Sequence, residues 1–272
     1  MALTLNTNVS ALIAQKNMNS TQDKLAQTLN RLSSGLRVNN AKDDAAGLAI
    51  AEGMSARIRA LRQGERNGND GISLIQTAES GMNQILDLMQ RMRELASQAS
   101  SGTYGASDVA NLNTEFSALL SEINRITNTS DFNSIQLLDG TTPTVDIQIG
   151  SQNTADDTVT ITLTATDATT LAIDTLDLTA DAGAALDALD TAIGTVTTGL
   201  AQLGADHSNL EAAVRSNVDR YTRLESARSQ IMDTDYAAES SNLAQYQVMQ
   251  QAGAAMLSQA NASGQIVLSL LQ

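Results

Sequence analysis

The sequence predicts a mainly α-helical protein, a long antiparallel coiled-coil helical bundle in the shape of a rod, with a small β-hairpin region. Composition is the first reason: aromatic residues make up 2 % of the 272 residues and one proline is present, which suits long helices with an aliphatic core. The second reason is a heptad pattern sustained over six heptads, beyond the roughly three or four that indicate a coiled coil. Eleven of its fourteen positions are apolar or aromatic. The series is Leu186, Leu189, Ile193, Val196, Leu200, Leu203, His207, Leu210, Val214, Asn217, Tyr221, Leu224, Arg228 and Ile231.

The N-terminal segment, Leu3 to Leu36, is predicted to form an amphipathic helix with a narrow apolar stripe, after a short irregular start. The stripe includes Leu25, Leu29, Leu32 and Leu36. Gly35 predicts the end of the helix, because glycine readily adopts the left-handed conformation found there. A helix with so few apolar residues is only marginally stable when isolated.

A second helix, the longest, is predicted on a 3.5-residue lattice from Ile50 to Ala96. Its other positions are Met54, Ile58, Leu61, Glu65, Gly68, Ile72, Ile75, Glu79, Met82, Leu86, Met89 and Arg93. Gly64, Gly68 and Gly71 weaken its middle, which predicts either a close helix contact or a bend. A third helix, capped by Ser107 and Asp108, is predicted from Val109 to Ile126.

Within residues 131–180 apolar residues recur at every second position instead of every third or fourth. Val145, Ile147 and Ile149 alternate with polar residues, and so do Val159, Ile161 and Leu163, with turn-forming residues 150–157 between them. This pattern predicts a β-hairpin. Two strands are marginally stable alone, so the hairpin is expected to lie on the bundle.

A last helix is predicted after a cap at Asp233-Thr-Asp235, with an apolar stripe that resembles the N-terminal one and a weak point at 261–264. The stripe includes Leu243, Met249, Met256, Val267 and Leu271. Residues 1–41 and 235–272 are predicted to form a discontinuous terminal-helix domain, and 42–234 a helical rod domain. Because neither end buries enough surface to offset chain ordering, we expect the terminal helices to become ordered only when copies of the chain polymerise.

Charge and composition exclude several classes of function. Residues 126–214 hold 13 acidic side chains and no Lys or Arg, whereas 1–125 hold 12 of each sign. Nucleic acid is therefore not an expected partner, since phosphate binding needs a clustered basic surface. No cysteine is present, which excludes thiolate chemistry. No apolar run is long enough for membrane insertion, and the first residues lack the pattern of a cleaved secretory signal.

Several long motifs resemble bacterial flagellin. They are Arg31-Leu-Ser-Ser-Gly-Leu-Arg-Val-Asn-Asn-Ala-Lys-Asp-Asp-Ala-Ala-Gly-Leu-Ala-Ile-Ala51, Ser229-Gln-Ile-Met-Asp-Thr-Asp-Tyr-Ala-Ala-Glu239, Gln250-Gln-Ala-Gly-Ala-Ala-Met-Leu-Ser-Gln-Ala-Asn261 and Val267-Leu-Ser-Leu-Leu-Gln272. The resemblance implies a secreted homopolymer, the extracellular flagellar filament, which transmits motor torque for motility. About 20 residues separate the hairpin from the heptads, so this is a short form without a large outer variable domain.

The resemblance also implies partners. Gln90, Arg91, Glu94, Leu95 and Glu115 match the patch read by the Toll-like receptor that senses flagellin, whereas spacing alone indicates an ordinary solvated helix face. An export chaperone at about residues 229–272, the type III export channel, and the filament cap and hook–filament junction proteins are the other implied partners.

Other candidate sites do not support an enzyme or a cofactor. His207 is the only histidine, so a His-Glu-x-x-His zinc site is excluded, and it is interpreted as a polar residue of the heptad core. The pairs Asp43-Asp44 and Asp156-Asp157 lack a spaced Ca²⁺ loop, so capping and turn roles are favoured.

The outward threonines Thr158, Thr160 and Thr162 are a possible O-glycosylation surface, although exposed strand threonines are common without it. Two alternatives remain for the function, a hook–filament junction protein and a free coiled-coil adhesin. Deletion of residues 1–30 discriminates between a polymer and an adhesin, because a polymer subunit would lose filament formation and an adhesin would keep its activity.

Overall fold

The structure is a computed structural model that describes residues 7–269, with side chains described for residues 7–262. The helices in this range are α1 Val9–Ser34, α2 Ala45–Ala99, α3 Ala106–Thr129, α4 Leu178–Met232 and α5 Tyr236–Ser269. The strands are β1 Asp131–Phe132, β2 Ile135–Gln136, β3 Thr144–Gln148 and β4 Thr158–Thr162. The mainly helical prediction is confirmed, and each predicted helix is present.

The chain divides into two compact units. The terminal unit comprises residues 1–56 and 223–272, and the central unit comprises residues 57–222. Helices α2 and α4 contribute residues to both.

In the terminal unit, α1 and α5 pack side by side in opposite directions. The Asn8 side-chain amide donates to the Ala260 carbonyl (2.8 Å), and Arg31, near the other end of α1, lies 3.9 Å from the Glu239 carboxylate. Helix α1 begins at Val9, where the Asn8 side chain accepts from the Ala11 N–H and caps the helix. Gly35, at φ 72°, ends α1 as predicted.

The connections that flank α1 and α5 are hydrogen-bonded to each other. The Arg37 N–H donates to the Met232 carbonyl (2.6 Å), and the Thr234 N–H donates to the Gly35 carbonyl (2.9 Å). The Asp235 carboxylate accepts from the N–H groups of Ala237 and Ala238, which confirms the predicted cap of α5. The helix continues through 261–264, the predicted weak point.

In the central unit, the buried face of α4 is shifted from the predicted seam. Leu189, Val196, Leu203, Leu210 and Asn217 are buried as predicted. At every second position of the predicted heptad pattern, from Leu186 to His207, the buried residue is the one that precedes the predicted residue in the sequence. They are Ala185, Ala192, Gly199 and Asp206, in place of the half-buried Leu186, Ile193, Leu200 and His207.

His207, predicted as a polar core or register residue, is half-buried, and the buried polar residue at this level of α4 is Asp206. Asp206 is 4 % exposed, and its carboxylate accepts from the Thr162 N–H (2.9 Å) and the Gln202 side-chain amide (2.8 Å). A carboxylate that accepts two hydrogen bonds is tolerated where a bare one is not.

The lattice of α2 is shifted in the same way at five positions. The buried residues are Gly64, Gly71, Ala78, Ile85 and Met92, each one place before the predicted Glu65, Ile72, Glu79, Leu86 and Arg93, which are half-buried or exposed. At the start of α2 the shift is the opposite one, since Ile50 is 53 % exposed and Ala51 is 1 % exposed. The third helix also differs at its start: Gly105 precedes it, and the Asp108 carboxylate accepts the Gly105 N–H (3.2 Å), so Ser107 lies inside the helix.

The predicted hairpin is confirmed as β3 and β4, which pair antiparallel with Val145 opposite Ile161 and Ile147 opposite Val159. A second strand pair, β1 and β2, was not predicted. Its strands have two residues each, too few to show an alternation of apolar and polar residues. Its turn residues Asn133 and Ser134 adopt φ of 49° and 66°.

The hairpin lies directly on the glycine-rich part of α2. A Cβ built on Gly64 would stand 1.7 Å from the Ile149 carbonyl oxygen. That carbonyl accepts a hydrogen bond from the Asn217 side chain of α4 (2.8 Å), and the Gln148 carbonyl accepts one from Asn67 of α2 (2.9 Å). Of the two outcomes predicted for the α2 glycines, a close contact is therefore correct, and the partner is the strand as well as a helix.

We expect Gly64→Ala to destabilise the protein by about 1–3 kcal/mol, because the new methyl group forces the hairpin backbone away from α2. The matched control is Gly204→Ala on α4, where a Cβ meets nothing within 4 Å. This control should stabilise the protein by about 0.5–1 kcal/mol through helix propensity. Urea denaturation followed by circular dichroism measures both, and equal effects of the two substitutions would contradict the contact.

Candidate functional site

Among the described residues, the terminal unit carries nearly all of the large apolar side chains that are exposed. Among the residues whose side chains are described, ten large apolar side chains are exposed, and nine belong to this unit. The nine are Val9, Leu12, Ile13, Leu29, Ile50, Tyr236, Val248, Met249 and Met256; the tenth is Tyr104. Single exposed apolar residues are ordinary, but concentration in one unit marks an interaction surface.

The predicted assembly residues fall into two groups. Leu25, Leu32, Leu36 and Leu243 are half-buried, whereas Leu29, Met249 and Met256 are 46–64 % exposed. The side chain of Val267 and all of Leu271 lie outside the described residues. The exposed group is available for further contacts.

The inward face of α1 is mostly polar or small. Its most buried residues are Thr21 and Thr28, and the Thr21 hydroxyl is satisfied by the Asn17 carbonyl (2.9 Å). On α5, the described buried side chain is Glu239, 7 % exposed. The two helices therefore leave much of their apolar surface facing outward.

A groove of about 350 Å³ opens between α1 and α5. Its apolar lining includes Ile13 and Met18 of α1 and Met249 and Met256 of α5. Gly253 of α5 also lines it, and a Cβ built there would lie at ordinary contact distance, 3.8 Å, from the Met18 Cβ.

The predicted receptor patch is only partly a single surface. Gln90, Arg91, Glu94 and Glu115 are exposed, and the Arg91 guanidinium bonds to the carboxylates of Glu94 (2.8 Å) and Glu115 (2.8 Å). These bonds, Glu94 first, raise the pKa of Arg91. Leu95 does not join them, because it is 1 % exposed and lies in the core.

The predicted glycosylation threonines differ in exposure. Thr160 and Thr162 are exposed, while Thr158 is half-buried. The Thr160 hydroxyl donates to the Asp146 carboxylate (2.6 Å) and the Thr158 hydroxyl to the Ala155 carbonyl (3.0 Å). The backbone N–H of Thr162 donates to the Asp206 carboxylate.

The paired aspartates cap and close turns. The Asp43 carboxylate accepts from the N–H groups of Asn39 and Asn40 and from the Gln27 side chain, and Asp44 accepts from the Gly47 N–H at the start of α2 (2.8 Å). The bonds to the backbone of Asn40 and Asn39 lower the pKa of Asp43. Asp157 likewise accepts from the Gln152 N–H.

Within the described part of the chain, no three His, Asp or Glu side chains converge as metal ligands. No helix in that part is long and apolar enough to cross a membrane.

Comparison with known proteins gives consistent matches. The sequence matches the family model of the bacterial flagellin N-terminal helical region over residues 5–142 and that of the C-terminal helical region over residues 186–271. It is 41 % identical to a flagellin of Halalkalibacterium halodurans, over 98 % of this chain and 99 % of the relative.

Two solved structures are similar. The crystal structure of Bacillus cereus flagellin is 31 % identical with a TM-score of 0.50, covering 56 % of this chain and 88 % of that one. A putative flagellar hook-associated protein from Vibrio parahaemolyticus has a TM-score of 0.58, covering 70 % of this chain and all of that one. At 14 % identity, the second match shows the fold alone.

We expect the Asp43 carboxyl to titrate below its ordinary value of 3.8. A lowered folded pKa means that the charge stabilises the turn above the unfolded pKa, and that this stabilisation is lost as pH falls through the folded pKa. Hydrogen-exchange protection of the Asn39 and Asn40 amides should fall about tenfold in Asp43→Asn at neutral pH. Asp23→Asn, an exposed charge on α1, is the control and should leave these amides unchanged.

Proposed function

Because the chain belongs to the bacterial flagellin family and is a structural subunit of the flagellar filament, we propose that the outward apolar faces of α1 and α5 are the surfaces by which copies of it polymerise. The observation that carries the proposal is the concentration of exposed apolar side chains in the terminal unit. Burial of one such side chain contributes about 1.5–3 kcal/mol. Several together offset the loss of freedom on association.

The composition of the α1–α5 pair supports a dependence on neighbouring copies. Its inner contacts are made largely by threonines and half-buried leucines, so the pair gains little from its own seam. Its most exposed side chains, including Val248 and Met256 at 64 %, gain only when another chain covers them. We propose that residues 1–41 and 235–272 act as one assembly domain that becomes fully ordered in the polymer.

The exposed acidic side chains of the stretch 126–214 are proposed to face the surrounding water. The stretch includes β3, β4 and α4 as far as Val214, and it holds no Lys or Arg. A net negative outer surface keeps finished filaments apart in solution.

Before assembly, the same apolar faces need protection. We propose that an export chaperone covers the segment 229–272, in which Val248, Met249 and Met256 are exposed, and that the subunit leaves the cell by type III export. Cap and hook–filament junction proteins at the filament ends would use the same terminal faces.

We expect Leu12→Asp and Val248→Asp each to raise the critical concentration for polymerisation about tenfold or more. Each substitution places a charge where the polymer is proposed to bury an apolar side chain between copies. Sedimentation and electron microscopy of filaments measure this. Both positions are more than half exposed in the single chain, so the variants should keep the circular dichroism spectrum of the wild type.

The matched control is Tyr104→Asp, which places the same charge at an exposed apolar position of the central unit. It should polymerise at the wild-type concentration. Wild-type assembly of both terminal variants would refute the assignment of these faces.

We also propose that the unassembled subunit is recognised by a Toll-like receptor through Gln90, Arg91, Glu94 and Glu115. Arg91 holds both carboxylates at 2.8 Å and so fixes the arrangement of charge on this surface. Leu95 lies beneath the surface, because its side chain is buried in the same hydrophobic core as Phe116.

We expect Arg91→Ala with Glu115→Ala to lower receptor signalling by monomers about tenfold or more, while removal of the similar exposed pair Glu122 and Arg125 (2.6 Å) has no effect. Reporter-cell assays at equal monomer concentration measure this. Leu95→Ala is uninformative by itself, since truncation of a buried Leu destabilises a core by about 2–5 kcal/mol. Full signalling by the Arg91 and Glu115 double variant would exclude this surface.

A further inference from the structure

Five methionines lie at the two extremes of exposure, whereas Met18, Met54 and Met232 are half-buried. Met82, Met89 and Met92 of α2 are 0 % exposed in the core of the central unit, whereas Met249 and Met256 of α5 are 46 % and 64 % exposed. Peroxides reach a thioether only where it is accessible. The protein therefore contains one protected and one accessible set of the same side chain.

The accessible pair has a defined location. Met249 and Met256 are seven residues apart, which places them on one face of α5, and both line the groove between α1 and α5. Met18 of α1 lines the same groove from the other side, with its Cβ and Cγ close to Gly253. The thioethers thus lie in the outward apolar face described above.

We propose that Met249 and Met256 form a peroxide-sensitive modification site, and that their conversion to methionine sulfoxide prevents an unassembled subunit from polymerising. This inference rests on the proposed function, because it requires the groove face of α5 to be covered by another copy.

The chemistry needs one co-reactant, a hydroperoxide such as hydrogen peroxide. A lone pair of the methionine sulfur attacks one peroxide oxygen, an S–O bond forms, and the O–O bond breaks. The departing hydroxide takes up the proton of the transferred oxygen, which leaves water and the sulfoxide. The sulfur is oxidised by two electrons and the peroxide is reduced by two.

The consequence for assembly follows from polarity. A thioether is apolar and adaptable, and it fills irregular contacts well. A sulfoxide oxygen is a strong hydrogen-bond acceptor that water satisfies on the free subunit, and burial in an apolar contact removes that water. The fold of the single chain tolerates the change, because both side chains are already exposed.

The test treats wild-type monomers with hydrogen peroxide and maps sulfoxides by peptide mass spectrometry. We expect the mass of one oxygen atom to be added at Met249 and Met256 before Met82, Met89 and Met92, and the critical concentration to rise about tenfold or more. Methionine sulfoxide reductase should restore assembly. Assembled filaments should acquire sulfoxide at these two positions more slowly than monomers.

Matched variants assign the effect to the site. Met249→Leu with Met256→Leu keeps an apolar side chain of similar size and should polymerise normally before and after peroxide. Met82→Leu should remain as sensitive as the wild type. The inference is overturned if monomers carrying both sulfoxides polymerise at the untreated concentration, or if the double leucine variant is inhibited as strongly as the wild type.

The outcome also separates this inference from the assembly proposal. If Val248→Asp blocks polymerisation but sulfoxide at Met249 and Met256 does not, the oxidation proposal is refuted and the assembly proposal is retained. If Val248→Asp and Leu12→Asp both polymerise normally, the assembly face itself is wrong.

Discussion

The close contact between the Ile149 carbonyl and Gly64 constrains how the elements of the central unit pack. The hairpin backbone approaches α2 so closely that no side chain fits between them, and the Asn217 amide from α4 holds the same carbonyl at 2.8 Å. Two helices and a strand are thus fixed at one point. Small residues then recur where these elements meet, as at Gly68 and Gly71 on α2 and Gly199 on α4, which faces Thr164 and Met82.

This constraint explains how much of the fold the sequence could predict. The heptad period depends on the spacing of bulky apolar residues, so the helices and their period were correctly predicted. The face that is buried depends on how close the neighbours come. Ala185, Ala192 and Gly199 are buried because they are small, and a search for apolar bulk chooses Leu186, Ile193 and Leu200 instead. Asp206 was missed for a related reason. Its carboxylate accepts a hydrogen bond from the Thr162 backbone N–H, and a backbone donor cannot be recognised from residue types.

For the candidate surfaces too, the sequence predicted the periodic pattern but not which residues are buried. The stripes of α1 and α5 were found as periodic leucines and methionines, but their separation into an inner seam and an outer face depends on how the two helices pair. Leu95 was grouped with Arg91 and Glu115 by resemblance, yet only the structure shows it beneath the surface, at 1 % exposure. Residue type and spacing locate such surfaces, whereas packing decides which members reach the solvent.

The stretch between Arg125 and Arg215 has a consequence for the durability of the protein. Trypsin-like proteases cleave after lysine or arginine, and residues 126–214 contain neither. The hairpin, its turn and the first half of α4 therefore offer such enzymes no cleavable bond, even if the segment opens locally. The nearest cleavage points are themselves held in ion pairs, Arg125 with Glu122 and Arg215 with Glu211. An appendage exposed to trypsin-like enzymes would keep this segment intact through its composition alone.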